Sequence, residues 1–182
     1  MEQKRKPRVA TVWLGGCSGC HMSFLDMDER LLELADRAEI VHSPVADVKT
    51  FPRDVDVALV EGAVASVEHE ELARVIRRNS RIVVSFGDCA VTGNVTALRN
   101  TVPLPQVLDR AYGELADGPP ARPDDYSCIA RLLPMARPLH EFITVDAFLH
   151  GCPPTAEQIW HAVNALLEGR MPEVTPVFLR YG

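Results

Sequence analysis

Short runs of apolar residues alternate along the chain with stretches in which apolar positions recur at helical spacing. This alternation predicts a doubly wound α/β fold, because strands that are apolar throughout must be covered by helices on both faces of a parallel sheet. The runs predict five strands, at residues 9–14, 39–42, 55–60, 81–86 and 145–149. We expect the flavodoxin-like strand order 2-1-3-4-5.

Periodicity and capping signals predict the main helices. Apolar residues recur at helical spacing from Cys20 to about Arg37, which predicts one amphipathic helix. Ser66 is a typical N-cap for a second helix, with acidic residues in its first turn. Thr155 and Gln158 form a capping box that opens a third helix. A polar loop is expected between the fourth strand and the region that follows, at residues 87–94.

The region from about residue 100 to 140 interrupts this pattern. It contains seven of the fourteen prolines, between Pro103 and Pro138. Proline lacks an N–H group and breaks helices and ladders, so this region cannot be regular throughout. We therefore expect a single domain over residues 1–182 with a Pro-rich irregular insertion at about 100–140.

Four of the five cysteines follow predicted strands. Cys17 and Cys20 follow the first strand, Cys89 the fourth and Cys152 the fifth. Because the carboxyl ends of parallel strands meet at one edge of the sheet, the four thiols are expected to lie together there. Thiolates in fours select zinc or an iron-sulfur cluster.

The spacing of these cysteines favours a 4Fe-4S cluster over zinc. Zinc ribbons usually carry two C-x2-C pairs, whereas this chain has one such pair and two single cysteines, each more than sixty residues beyond the ligand before it. The last cysteine precedes Pro153, as in ferredoxin-type ligation. A zinc ion that braces the loops, or buried free thiols, are the alternatives.

Composition narrows the class of function. The formal net charge of -6 argues against nucleic acid as a partner, because phosphate binding needs a basic face. An odd number of cysteines does not suit a secreted disulfide framework. No apolar run approaches the roughly 18 residues that span a bilayer, and no signal-peptide core is evident. We expect a cytoplasmic protein without a membrane span.

The cysteine motifs resemble those of the small subunits of nickel-iron hydrogenases and of the related cluster-bearing subunit of NADH:quinone oxidoreductase. The matching motifs run from end to end: Cys17-Ser18-Gly19-Cys20, Glu61-Gly62, Gly87-Asp88-Cys89 with Gly93, and Gly151-Cys152-Pro153-Pro154. The first motif has adjacent cysteines in the quinone-reducing relatives, so its spacing here favours a hydrogenase. The short form, with His21-Met22-Ser23-Phe24-Leu25-Asp26 after the first motif, is most similar to the cytoplasmic bidirectional, NAD-reducing branch.

The resemblance implies a single-cluster electron relay. A nickel-iron large subunit would split dihydrogen, and the electrons would pass through one 4Fe-4S cluster to diaphorase subunits that carry flavin and further iron-sulfur clusters and reduce NAD. This chain lacks paired C-x2-C motifs for nickel and iron, so it would not itself activate hydrogen. The alternatives are a cluster subunit of a quinone-reducing or other redox complex, and a zinc-braced interaction module.

Further residues are candidates for supporting roles. Glu61, His21 and His150 could hydrogen-bond the cluster ligands or relay protons, although a cap or ordinary packing would also explain them. Cys128 is interpreted as a non-ligand thiol. The fold leaves room for FMN, but the glycines after the first strand match neither G-x-G-x-x-G nor a P-loop.

Two segments are candidates for contact with partner subunits. One is the stretch from Pro103 to Pro138, which includes Leu132, Leu133 and Met135. The other is the apolar tail at 177–181. Either could instead cover the sheet of its own chain.

Overall fold

The computed structural model describes residues 5–119 and 129–172. Its strands are β1 (Arg8–Trp13), β2 (Glu39–His42), β3 (Val55–Glu61), β4 (Val64–Ser66), β5 (Ser80–Phe86), β6 (Leu132–Arg137) and β7 (Ala147–Leu149). Its α-helices are α1 (Gly19–Leu25), α2 (Arg30–Arg37), α3 (Val67–Asn79), α4 (Asp88–Thr92), α5 (Asn94–Ala97), α6 (Leu104–Asp109) and α7 (Ala156–Leu167).

Five parallel strands form the main sheet, in the order β2-β1-β3-β5-β7. The fourth and fifth strands expected from the sequence are β5 and β7, so the predicted order 2-1-3-4-5 is confirmed. The three central strands are nearly completely buried because they are apolar on both faces. All carboxyl ends therefore point to the same edge.

Each face of the sheet has its own apolar core. On one face, residues of α1, α2 and α7 pack against the sheet, with Phe24, Leu34 and Ile159 buried beside Phe86. On the other face, α3 packs through Ala73 and Ile76. The capping signals place the helices as predicted: the Ser66 side chain accepts the His69 N–H, and Thr155 and Gln158 form the capping box of α7.

The predicted helix from Cys20 to Arg37 is two helices. α1 ends at Leu25, and Asp28 adopts a positive φ of 50° before α2 begins at Arg30. Aspartate tolerates this left-handed conformation better than most residues, which explains how the chain turns there without glycine. Apolar periodicity continues across the turn because both helices cover the same face of the sheet.

The stretch at 100–140 is more regular than predicted in the part that the structure describes. It contains α6, a π-helical turn at Arg110–Glu114, and β6, which pairs antiparallel with β4. The loop predicted at 87–94 is likewise mostly helical, because α4 occupies Asp88–Thr92. Cys128 and the apolar tail at 177–181 lie outside the described residues.

Among the described residues, no helix is both long and apolar enough to cross a membrane.

Candidate metal centre

Four cysteines lie in loops and helix starts at the carboxyl edge of the sheet. Cys17 is in the turn after β1, Cys20 is in the first turn of α1, Cys89 is in the first turn of α4, and Cys152 is in the loop after β7. Cys20 and Cys89 are buried, whereas Cys17 and Cys152 are exposed. The site thus has an inner pair of sulfurs anchored on helices and an outer pair that faces solvent.

The inner sulfurs are closely surrounded by backbone. A Cβ added at Gly87 would lie 2.2 Å from the Cys20 Sγ, and the φ of Gly87 is +81°. Only glycine combines this backbone conformation with such a close approach. Gly87 therefore brings the loop that precedes Cys89 directly against the sulfur of Cys20.

Glu61, the last residue of β3, holds the helix that carries Cys20. Its carboxylate accepts the backbone N–H of Cys20 at 3.3 Å and that of His21 at 3.0 Å, and it also hydrogen-bonds the His21 Nδ1. The carboxylate thus accepts hydrogen bonds from free N–H groups at the amino end of α1. In most helices a side chain next to the helix start has this role, whereas here it comes from the end of a neighbouring strand. Glu61 is only 1% exposed, so these bonds are shielded from water.

Further hydrogen bonds join the ligand loops to one another. The Asp88 N–H donates to the Gly151 carbonyl, and the Gly151 N–H donates to the Asp88 Oδ1, both at 2.9 Å. The Ser23 hydroxyl donates to the Pro154 carbonyl at 2.6 Å, which connects α1 to the loop of Cys152. These bonds join segments that are 63 and 131 residues apart in the sequence.

The two outer sulfurs each accept a hydrogen bond. The Gly19 N–H donates to the Cys17 Sγ at 3.4 Å, and the Asn94 side-chain amide donates to the Cys152 Sγ at 3.2 Å. Donors of this kind stabilise negative charge on sulfur.

Burial and nearby negative charge disfavour a thiolate at Cys20. Burial raises the pKa of the Cys20 thiol far above its usual range, and negative charge at Glu61 and at the other three cysteines raises it further. This effect of the other three cysteines on Cys20 also indicates that they lie near it. A thiolate can form here only if positive charge offsets burial and repulsion, and metal binding supplies that charge.

The donor set suits a group that several loops bind together. The candidate set consists of four cysteine sulfurs, which are donors that suit soft metals. In the described part of the chain, no three His, Cys, Asp or Glu side chains are grouped so that they could hold a single metal ion, and this includes the four cysteines. A 4Fe-4S cluster takes four cysteine ligands.

The candidate histidines differ in position. His21 is buried beside Glu61, and its ring packs edge-on against Phe86. Its Nε2 is buried and has no hydrogen-bond partner among residues 5–119 and 129–172. His150 lies at the side of the site, with its Nδ1 4.0 Å from the Asp88 Oδ1. Within the described residues, neither ring hydrogen-bonds a cysteine sulfur.

Sequence reasoning missed the roles of Asp88 and Asn94. Asp88 immediately precedes Cys89, so its position beside a candidate ligand was a usable signal. Asn94 is 58 residues from the sulfur that it contacts. The sequence indicates this role only weakly: Asn94 follows Gly93, and glycine and asparagine are both residues that tolerate a positive φ.

Comparisons with known proteins match this chain to subunits of hydrogenases and of NADH ubiquinone oxidoreductase. A family model described as the 20 kDa subunit of NADH ubiquinone oxidoreductase matches residues 17–166. The delta subunit of the NAD-reducing hydrogenase HoxS of Cupriavidus necator is 38% identical over 97% of this chain and 86% of its own length. A subunit of the F420-non-reducing hydrogenase vhu of Methanocaldococcus jannaschii is 37% identical over 92% of this chain, which spans only 58% of that relative.

Solved structures agree with the fold. A chain of an NAD+-reducing NiFe hydrogenase in its H2-reduced state superimposes with a TM-score of 0.92 at 43% identity, covering 98% of this chain and 100% of the other. A chain of the NiFeSe hydrogenase of Dm. baculatum superimposes with a TM-score of 0.59 at 18% identity, over 96% of this chain and 69% of the other, which supports the fold alone.

Proposed function

Because this chain belongs to the NADH ubiquinone oxidoreductase 20 kDa subunit family and is also similar to hydrogenase subunits over nearly its whole length, we propose that it is the electron-transferring small subunit of a soluble nickel-iron hydrogenase. Cys17, Cys20, Cys89 and Cys152 would hold one 4Fe-4S cluster. The observation that carries this proposal is the placement of the four cysteines in loops and helix starts at one edge of the sheet.

The chain supplies a rigid support for such a cluster. When bound, the cluster supplies one-electron transfer between hydrogen oxidation on a partner chain and an acceptor. Gly87 keeps the backbone close to the inner sulfurs, and Glu61 fixes the helix of Cys20. The bonds between Asp88 and Gly151 hold the ligand loops of Cys89 and Cys152 together. Loops held in this way limit rearrangement when the charge of the site changes.

Exposed apolar side chains near the ligands support docking of a nickel-iron large subunit. Met22 is 64% exposed beside the first motif, and Val95 and Leu98 lie exposed just beyond the helix of Cys89. Leu132 and Met135 of β6 are also exposed, whereas Leu133 packs partly against the core. Exposed apolar residues of this kind are typical of surfaces that a partner covers.

The NAD-reducing branch is the finer part of the proposal. It is supported by the match to the Cupriavidus necator delta subunit over nearly the whole of both chains and by the TM-score of 0.92 to a chain of an NAD+-reducing hydrogenase. On this basis the acceptor would be a diaphorase whose subunits carry flavin and further iron-sulfur clusters and reduce NAD in the cytoplasm.

Glu61, His21 and His150 would have supporting roles around the ligands. The Glu61 carboxylate accepts hydrogen bonds from the backbone N–H groups of Cys20 and His21, and it also hydrogen-bonds the His21 ring. Glu61 and His21 would therefore orient the helix of Cys20. His150 lies beside Asp88 and would act on the loop contacts of Cys89 and Cys152.

The test is a count of iron, zinc, acid-labile sulfide and FMN per chain after anaerobic purification. The proposal expects roughly four iron and four sulfide per chain, and no FMN. One zinc without sulfide would contradict it and leave a zinc-braced interaction module.

Activity of the assembled complex tests the electron acceptor. Hydrogen-dependent reduction of NAD+ by the complex that contains this chain is expected. Hydrogen-independent reduction of quinone would instead indicate a subunit of a quinone-reducing complex.

A further inference from the structure

The side chain of Asn94 contacts a candidate ligand from outside the cysteine motifs. Its Nδ2 lies 3.2 Å from the Cys152 Sγ, across a sequence separation of 58 residues. In the part of the chain that the structure describes, this is the one hydrogen bond from a side-chain donor to any of the four sulfurs; the bond to the Cys17 Sγ comes from the backbone of Gly19.

The backbone around Asn94 holds this amide in place. Asn94 has a positive φ of 34° and follows Gly93, whose φ is +87°. The Gly93 N–H donates to the Cys89 carbonyl, and the Ala97 N–H donates to the Gly93 carbonyl. Asn94 is therefore fixed directly to the helix of one ligand while its side chain reaches the sulfur of another. Asparagine is among the few residues that tolerate this backbone conformation and also carry a donor.

A neutral donor to a ligand sulfur changes the relative stability of the two redox states. The bond strengthens as negative charge on the acceptor grows, so it stabilises the reduced state more than the oxidised state. Hydrogen bonds to the sulfurs are among the factors that set the potential of iron-sulfur clusters. Given the proposed cluster, on which this inference rests, we infer that Asn94 is a positioning residue that raises the reduction potential of the centre through Cys152.

The test is a redox titration of the full chain, followed by the EPR signal of the reduced cluster. Asn94→Gly removes the amide while keeping a residue that accepts a positive φ, and Asn94→Asp keeps the shape of the side chain while replacing the donor with negative charge. Both variants are expected to have a lower midpoint potential than the wild type, and Asn94→Asp the lowest. A change of about tenfold in the redox equilibrium corresponds to 59 mV for one electron.

Asn100→Ala is the matched control. Asn100 exchanges two hydrogen bonds with the backbone of Ala136, and among the described residues it hydrogen-bonds no cysteine sulfur. Its loss is expected to affect stability but to leave the midpoint potential at the wild-type value. A shift in this variant equal to that of Asn94→Gly would overturn the inference, since it would trace the effect to general loosening of the structure.

The remaining outcomes separate the inference from the proposed function. If Asn94→Gly binds four irons and titrates at the wild-type potential, the inference is wrong and the cluster assignment stands. If Asn94→Gly fails to bind iron, the midpoint potential of Asn94→Asp is the deciding measurement. A potential of Asn94→Asp at or above that of the wild type overturns the inference. If the wild type itself contains no iron and sulfide, the proposed function fails, and the inference fails with it.

Discussion

The two edges of the parallel sheet are built from different kinds of polar interaction. At the carboxyl edge the contacts around Cys20 are buried and connect distant segments, as at Glu61, whose side chain is only 2% exposed. At the amino edge the contacts are exposed ion pairs, as between Arg5 and Asp56, where the arginine side chain is 58% exposed. The same types of charged group thus have different roles at the two edges.

The difference lies in the cost of breaking a contact. Removing one partner of a buried pair leaves the other without water, whereas an exposed partner is simply rehydrated. We therefore expect substitutions at the carboxyl edge to disturb both stability and metal binding, and substitutions at the amino edge to do neither. The predictions that follow test this contrast, beginning with the largest effect.

Gly87→Ala is expected to abolish cluster binding. The added Cβ would lie 2.2 Å from the Cys20 Sγ, on a backbone whose φ already disfavours alanine. Iron and sulfide per chain measure the effect. Gly113→Ala is the control, because no described residue lies within 4 Å of its added Cβ. Wild-type iron content in Gly87→Ala would show that the loop can move away, contrary to the rigid edge described above.

Glu61→Ala is expected to destabilise the fold by roughly 3 kcal/mol or more, because two buried N–H groups and the His21 Nδ1 lose their acceptor. Urea unfolding under anaerobic conditions measures this. At the amino edge, Glu39→Ala removes a 4.0 Å pair with Arg8 and is expected to change stability by less than about 0.5 kcal/mol. Equal losses in the two variants would remove the contrast between the edges.

Asp88→Ala is expected to cost about 1–2 kcal/mol, because the Gly151 N–H loses its acceptor on the Asp88 side chain. Asp88→Asn retains an acceptor oxygen and should lose less. The difference between the two variants in urea unfolding isolates the contribution of this loop contact. No difference would indicate that the backbone bond from Asp88 to Gly151 is sufficient by itself.

Stability is expected to fall as the pH decreases below about 6.5, partly because of His69. Burial lowers the pKa of His69 in the folded state, so the unfolded chain binds a proton that the folded chain resists. The stabilising effect is present above the unfolded pKa and is lost as the pH falls toward the folded pKa. His69→Gln should flatten the pH dependence of unfolding between about pH 7.5 and 5.5; an unchanged profile would contradict this assignment.

Arg5→Ala is expected to have the smallest effect, below about 0.5 kcal/mol, because the arginine side chain of its ion pair with Asp56 is 58% exposed. Its iron content should equal that of the wild type. A marked loss of stability that persists at high salt would show that the amino edge also depends on specific polar contacts.

The sequence predicted those parts of the molecule that depend on local pattern. Apolar runs located the five main strands, and the capping residues Ser66 and Thr155 located two helix starts. The site cysteines could be grouped because parallel strands share one carboxyl edge. Their role as ligands stays a prediction until metal is measured.

The features that sequence reasoning missed depend on backbone conformation or on contacts between distant segments. The turn at Asp28 does not interrupt the apolar periodicity, so one helix was predicted where there are two. Among the described residues, the short strand β4 pairs only with β6. β6 lies in the stretch for which the prolines predict irregular structure. The hydrogen bond from the Asn94 amide to the Cys152 Sγ depends on the positive φ of Asn94, which its side-chain chemistry alone does not reveal.

The placement of Cys152 on the loop after β7 has a consequence for biosynthesis. β7 has only three residues, and within the described part of the chain it pairs with β5 alone, at the border of the sheet. A nascent polypeptide that has not yet released this segment from the ribosome lacks one of the four sulfurs, however well its earlier strands have folded. The four candidate ligands can therefore come together only after Cys152 has been translated and β7 has paired with β5. A maturation factor that recognised all four sulfurs would thereby distinguish chains that contain β7 and its loop from chains that end before them.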